Sequence, residues 1–135
     1  MYEVEVLGGD DDDGTMPENV ATLSEAVVGH RIVSAEKVDE RSDIWFGNPG
    51  ALQLTLDNGK KVLLHNTDDC CAYTELESFF LEPNSVDHII TGVGTTDGHT
   101  VWHIYADWGD ILKLTVGWSC GNPFYYGYGF YIRVI

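Results

Sequence analysis

The densest run of chemically active side chains covers residues 65–71. It holds the imidazole of His65, the carboxylates of Asp68 and Asp69, and the thiols of Cys70 and Cys71. Polar side chains at a strand end are held by a rigid scaffold yet open to ligands, so sites are often built there. The residue types allow a metal site, a thiol nucleophile with a histidine base, or a helix cap without chemistry.

The spacing of these residues disfavours both a metal site and a thiol nucleophile. Structural zinc sites use spaced cysteine pairs, whereas adjacent Cys70 and Cys71 point apart on an extended chain. A reactive thiol needs a lowered pKa, and the neighbouring Asp68 and Asp69 raise the thiol pKa by repulsion between like charges. Either aspartate also serves as the cap of a following helix. We expect no zinc at the pair, and we expect Cys71 to be buried against that helix.

His99 and His103 lie four residues apart, the spacing of the two ligands in the His-Glu-x-x-His zinc motif. The glutamate of that motif is absent, and the segment predicts a strand. Even spacing places both rings on one face of a strand. We therefore predict cross-strand packing for them.

Residues 117–128 form a second candidate surface, rich in glycine and tyrosine. Tyrosine offers flat contact area with a hydroxyl handle and is frequent in binding surfaces. Lys113 and Arg133 flank the segment, which is little positive charge for holding a phosphate. A binding loop and a folded aromatic corner both remain open.

Length and charge limit the function classes. The 135 residues predict a single domain, residues 1–135, with an acidic loop at residues 8–19, and 44% hydrophobic residues support a globular fold. A net charge of −15 disfavours direct binding of nucleic acid or an anionic membrane and suits a protein partner with a basic surface. The N-terminus lacks a basic signal-peptide region, no apolar run is long enough to cross a bilayer, and there are three cysteines. We expect a cytoplasmic protein with reduced thiols.

Alternation and turn residues predict an α+β domain with a mostly antiparallel sheet of six or seven strands and two short helices. Residues 58–59 (Asn-Gly) and 107–110 mark two hairpin turns, and residues 86–93 predict a strand. Thr22 and Glu25 form a capping box for a helix at residues 23–28. The second helix is predicted from apolar residues at helical spacing: Tyr73, Leu76, Phe79 and Phe80.

These motifs together resemble a family of domains of unknown function from phages, mobile elements and some actinobacteria. Its His-x-x-x-Asp-Cys-Cys pattern is matched by His65, Asp69, Cys70 and Cys71, with Ala72 where the family has an acid. The later aromatic motif is similar in kind, with an altered order and an insertion at residues 123–124. The resemblance covers residues 29–134 and implies a phage or mobile-element origin, but no activity.

The function that these observations favour is that of a small acidic binding protein, phage-encoded, which acts on a host or defence protein in the host cytoplasm. The residues predicted to bind a partner or ligand are His65, Asp69, Cys71, Trp118, Ser119, Asn122, Tyr125 and Tyr126. Two alternatives stay open: binding or sequestering a small nucleotide-like ligand, and an enzyme that uses His65, Asp69 and Cys71. No cofactor, metal-binding residue or catalytic residue is assigned, and self-association is left open.

Overall fold

The computed structural model describes Glu5, Leu7, Asp12 and residues 14–38, 50–69, 72–120 and 128–135, with the backbone alone at 68–69. Within these residues the chain forms one helix and nine strands. Their bounds are α1 (Thr15–Val27), β1 (Ile32–Val38), β2 (Ala51–Leu56), β3 (Lys61–His65), β4 (Thr67–Asp69), β5 (Ala72–Leu81), β6 (Gly92–Thr96), β7 (Val101–Ala106), β8 (Gly109–Ser119) and β9 (Tyr131–Val134).

The strands form two antiparallel sheets. One has the order β1-β2-β3-β9 and the other the order β4-β5-β8-β7-β6. The chain passes from the first sheet to the second at Asn66, between β3 and β4. A single cluster of buried side chains draws on α1 and on both sheets, so the described elements pack around one core.

Helix α1 begins at Thr15, eight residues before the predicted start, and includes residues 15–19 of the predicted acidic loop. Its buried residues follow a helical period along one face: Met16, Val20, Leu23 and Val27. Thr22 does not cap the helix, because its hydroxyl donates to the Glu18 carbonyl one turn earlier, at 3.0 Å. At the actual start, the Asp12 carboxylate accepts the Met16 N–H at 3.3 Å.

The predicted fold, with six or seven strands and two helices, is wrong, because the second helix is the strand β5. Apolar residues three apart indicated a helix, but a bulge between Leu76 and Ser78 inserts Glu77 into the strand. The extra residue places Leu76 and Phe79 on the same face, where both pack against the core. A bulged strand has therefore produced the spacing of a helix.

The predicted turns agree with the structure better than the predicted strand bounds do. The two predicted hairpins are confirmed: β2 pairs with β3 across residues 57–60, and β7 pairs with β8 across residues 107–108. The strand predicted at 86–93 is wrong, because residues 83–87 form turns and β6 begins only at Gly92.

Candidate functional site

The predicted residues of the first cluster divide between the two sheets. His65 is the last residue of β3, is 1% exposed, and stacks on Tyr131 with ring centroids 5.5 Å apart. Asp69 ends β4 in the other sheet, where its backbone pairs with Ala72. Cys71 lies outside the described residues. The helix against which we expected Cys71 to pack is the strand β5.

The strand pairing places the beginning of the first cluster, residues 65–71, near the beginning of the second, residues 117–128. Trp118 of β8 pairs with Thr74 of β5, and Thr74 pairs with Thr67 of β4. Ser119 lies in the next row, beside Tyr73. Both clusters therefore reach one end of the five-stranded sheet, with β4 and β8 separated by two strand spacings, or about 10 Å. Asn122, Tyr125 and Tyr126 lie outside the described residues.

Trp118 and Tyr128, which border the aromatic segment, contact each other. Their rings stack at 6.0 Å between centroids with 14° between planes. The indole N–H of Trp118 donates to the Gly98 carbonyl at 2.9 Å, and the Tyr128 hydroxyl donates to Asp12 at 2.8 Å. These contacts fix the two ends of the segment against each other.

Two threonine hydroxyls hold the residue that follows Tyr128. The Thr67 hydroxyl donates to the Gly129 carbonyl at 2.7 Å, and the Gly129 N–H donates to the Thr74 hydroxyl at 2.7 Å. Both threonines are fully buried, so each hydrogen bond satisfies a group that water cannot reach. The chain is thereby bonded to β4 and β5 just before it enters β9.

His99 lies in the turn between β6 and β7, not on a strand, so the prediction that it shares a strand face with His103 is wrong. Three successive residues there have positive φ: Asp97 (58°), Gly98 (68°) and His99 (61°). This left-handed turn aims two backbone N–H groups at the Glu5 carboxylate, at 3.1 Å from Gly98 and 2.8 Å from His99. Such concave arrangements of N–H groups favour anions.

Glu5 and His99 have shifted pKa values. Burial acts to raise the pKa of Glu5, but hydrogen bonds from the His99 and Gly98 N–H groups and from Thr95 lower it below the ordinary 4.5. Burial lowers the pKa of His99 below 6.5, against the opposing charges of Glu5 and Asp12. At neutral pH a charged carboxylate and an uncharged imidazole therefore join the N-terminal segment to this turn.

His103 belongs to a separate hydrogen-bonded chain that the sequence analysis missed. Its Nε2 lies 2.9 Å from the Thr96 hydroxyl, and its Nδ1 lies 2.9 Å from Oδ2 of Asp110. The three residues come from β6, β7 and β8, which are neighbours in the sheet. A hydroxyl, an imidazole and a carboxylate in this order can move a proton from the hydroxyl.

An exposed aromatic surface lies at the turn between β7 and β8. Trp108 is 79% exposed, and its ring lies 6.0 Å from that of His88. Beside them is an open groove of about 290 Å³, whose lining residues are Arg31, Asp87, His88, Ile89, Thr91, Ala106 and Asp107. We call Trp108 and this groove the Trp108 surface. The predicted hairpin turn around Trp108 was the sequence signal that could have located it.

Within the part of the chain that the structure describes, no three histidine, cysteine or acidic side chains lie close enough to hold a metal ion. In that same part, no helix combines the length and the apolar character needed to cross a membrane.

Comparison with known families identifies one match. Residues 25–132, from within α1 to β9, match the model of a domain of unknown function, DUF7448. No curated protein and no solved structure matches the chain. Because the family match covers most of the sequence, the chain belongs to the DUF7448 family of domains of unknown function.

Proposed function

We propose that this protein acts by binding another protein, and that the Trp108 surface is its contact site. The observation that carries the proposal is the exposure of Trp108, of which 79% faces solvent. Tryptophan is enriched among the few residues that dominate binding energy, since covering its large ring removes much apolar area from water. Ile89, 47% exposed, adds an aliphatic contact in the adjoining groove.

The charges around Trp108 favour a basic partner. Among the described residues that line the groove, Asp87 and Asp107 are the acids and Arg31 is the only arginine or lysine. The Nε of Arg31 donates to the Asp87 carbonyl at 2.8 Å. A lysine or arginine of the partner would meet two carboxylates and an indole face, which together attract a cation. The net charge of −15 would steer the encounter over longer distances.

The sequence resemblance implies a phage or mobile-element origin. With that origin, the partner would be a host or defence protein in the host cytoplasm.

Affinity capture with matched variants tests the contact site. The wild-type protein, Trp108→Ser and Phe80→Ser are immobilised, incubated with bacterial lysate, and washed at low and at high salt. Phe80 is the matched control, because it is an aromatic residue that is 58% exposed, on β5. We expect basic proteins retained at low salt by the wild type and Phe80→Ser, and lost from Trp108→Ser. Equal retention by all three would refute the assignment of the surface.

A further inference from the structure

The side chains of Thr96, His103 and Asp110 meet on the outer face of the five-stranded sheet, the face opposite the core. His103 lies on β7 between two residues that are fully buried in the core, Trp102 and Ile104. Because side chains alternate along a strand, the His103 ring points to the other face. Tyr105, two residues further on, shares that face and pairs with Asp110.

A glycine makes the contact between His103 and Thr96 sterically accessible. The direct cross-strand partner of His103 on β6 is Gly94, and Thr96 lies two residues further along the same strand. Diagonal neighbours of this kind are about 7 Å apart, within reach of a long side chain. Gly94 has no side chain to stand between them, so the imidazole reaches the hydroxyl at 2.9 Å.

The hydrogen bonds indicate where the protons lie. An ionised Asp110 carboxylate only accepts hydrogen bonds, so Nδ1 of His103 carries the proton in the 2.9 Å contact. In the neutral imidazole Nε2 then has the lone pair, and the Thr96 hydroxyl donates to it. In this tautomer Nε2 of His103 can accept the proton of the Thr96 hydroxyl, as a general base does.

Burial and the charge of Asp110 favour the role of His103 as a base. His103 is 6% exposed, so little water weakens its hydrogen bonds. The second carboxylate oxygen of Asp110, Oδ1, is buried without a hydrogen-bond partner in the described structure, which leaves the charge of Asp110 available to stabilise an imidazolium. Lys113, the cross-strand partner of His103 on β8, is exposed on the same face, so its amine is an alternative nucleophile that a test must distinguish from Thr96.

We propose that this chain is a covalent acyl-transfer site, with Thr96 as the nucleophile, His103 as its base and Asp110 as the residue that orients the base. The substrate class is an activated ester. The Thr96 oxygen forms a bond to the acyl carbon while its proton passes to Nε2 of His103. The bond from the acyl carbon to the leaving oxygen breaks, and the leaving group departs with that electron pair and takes the proton from Nε2, which leaves His103 neutral again. Water then attacks the acyl carbon of the threonine ester while its proton passes to Nε2 of His103. The bond from the acyl carbon to the Thr96 oxygen breaks, that oxygen takes the proton back from Nε2, and the carboxylic acid is released.

The full-length protein is incubated with p-nitrophenyl acetate, and nitrophenolate release and intact mass are followed over time. The variants are Thr96→Val, which keeps the side-chain shape, and Asp110→Asn, which removes the charge. Thr22→Val is the control, since that exposed threonine on α1 donates its hydroxyl to the Glu18 carbonyl instead of to an imidazole. Thr96→Ser restores a hydroxyl, and melting temperatures establish that each variant folds.

We expect one acetyl group on the peptide that contains Thr96, and nitrophenolate release at least about tenfold slower in Thr96→Val and Asp110→Asn, since a positioned base contributes about a hundredfold or more. Thr22→Val should keep the wild-type acylation, and Thr96→Ser should take an acetyl group on the same peptide, since it retains a hydroxyl at this position. A purely structural role predicts lower melting temperatures with no acetyl group on Thr96 in the wild type. Absence of that adduct, its location on another residue such as Lys113, or full activity of folded Thr96→Val would overturn the proposal.

Discussion

Asn19 of α1 and Phe130 exchange two hydrogen bonds across 111 residues of sequence. The side-chain amide of Asn19 donates to the Phe130 carbonyl at 2.8 Å, and its Oδ1 accepts the Phe130 N–H at 2.9 Å. One primary amide therefore provides Phe130 with both hydrogen bonds that a neighbouring strand would supply. The Phe130 ring also meets Trp102 edge to face at 5.2 Å. The chain entering β9 is thus fixed to the helix and to the core.

Replacing Asn19 with alanine should destabilise the fold by about 2 kcal/mol, because it leaves a partly buried N–H and carbonyl of Phe130 unpaired. Urea unfolding followed by circular dichroism measures the difference. Thr22→Ala is the control in the same helix, because its hydroxyl bond to Glu18 is exposed, and it should cost under about 0.5 kcal/mol. An equal loss in the two variants would contradict the role of the amide.

Gly92→Ala should destabilise the five-stranded sheet by about 1–3 kcal/mol, because the new methyl group would overlap the phenol of Tyr105, its cross-strand partner. Thermal and urea unfolding measure the loss. In a double-mutant cycle with Tyr105→Ala, the glycine substitution should cost much less once the ring is gone. If Gly92→Ala costs the same in both backgrounds, overlap with Tyr105 is not the cause.

Acid should destabilise the protein through His99 and then Glu5. The pKa of His99 is below 6.5 in the folded state, so the unfolded chain binds more protons as the pH falls through 6.5, and stability drops. The pKa of Glu5 is below 4.5 when folded, so its contribution is present above pH 4.5 and is lost as the pH falls through the folded value. Unfolding free energies of the wild type and His99→Gln across this range measure the effect. The wild-type curve should fall more steeply below pH 6.5.

His30→Gln is the control for the acid experiment, because it removes a partly exposed imidazole that is paired with Asp57 rather than enclosed in the core. Its curve shows how much of any change in slope comes merely from replacing an imidazole at a partly exposed position. A His99→Gln protein that loses stability with the same slope as the wild type would show that His99 does not drive this part of the pH dependence.

The sequence was most informative where short local rules apply. The Asn58-Gly59 pair tolerates positive φ, and Gly59 has φ of 83° in the turn between β2 and β3. Thr22 and Glu25 predicted too late a start for α1, because the helical period of its buried face already begins at Met16. The β5 helix was predicted because a bulge imitates helical spacing, and only the register with β8 separates these two cases.

The contacts of the site residues could not be predicted from the sequence either. Thr96, His103 and Asp110 are each seven residues apart, a spacing without meaning for strands until the pairing of β6, β7 and β8 is known. Trp118 could be singled out from its aromatic neighbourhood, but its stacking on Tyr128 depends on contacts that composition does not encode.

Site-specific photo-crosslinking tests most directly whether the Trp108 surface contacts a protein partner. A photoreactive benzoylphenylalanine replaces Trp108 in one variant and Phe80 in another, and each is irradiated in bacterial lysate at low salt. We expect a discrete crosslinked species from position 108, with a basic protein as the partner, and none from position 80. Its yield should fall at high salt, because salt screens the attraction between the charges. No discrete species from position 108, or the same species from both positions, would contradict it.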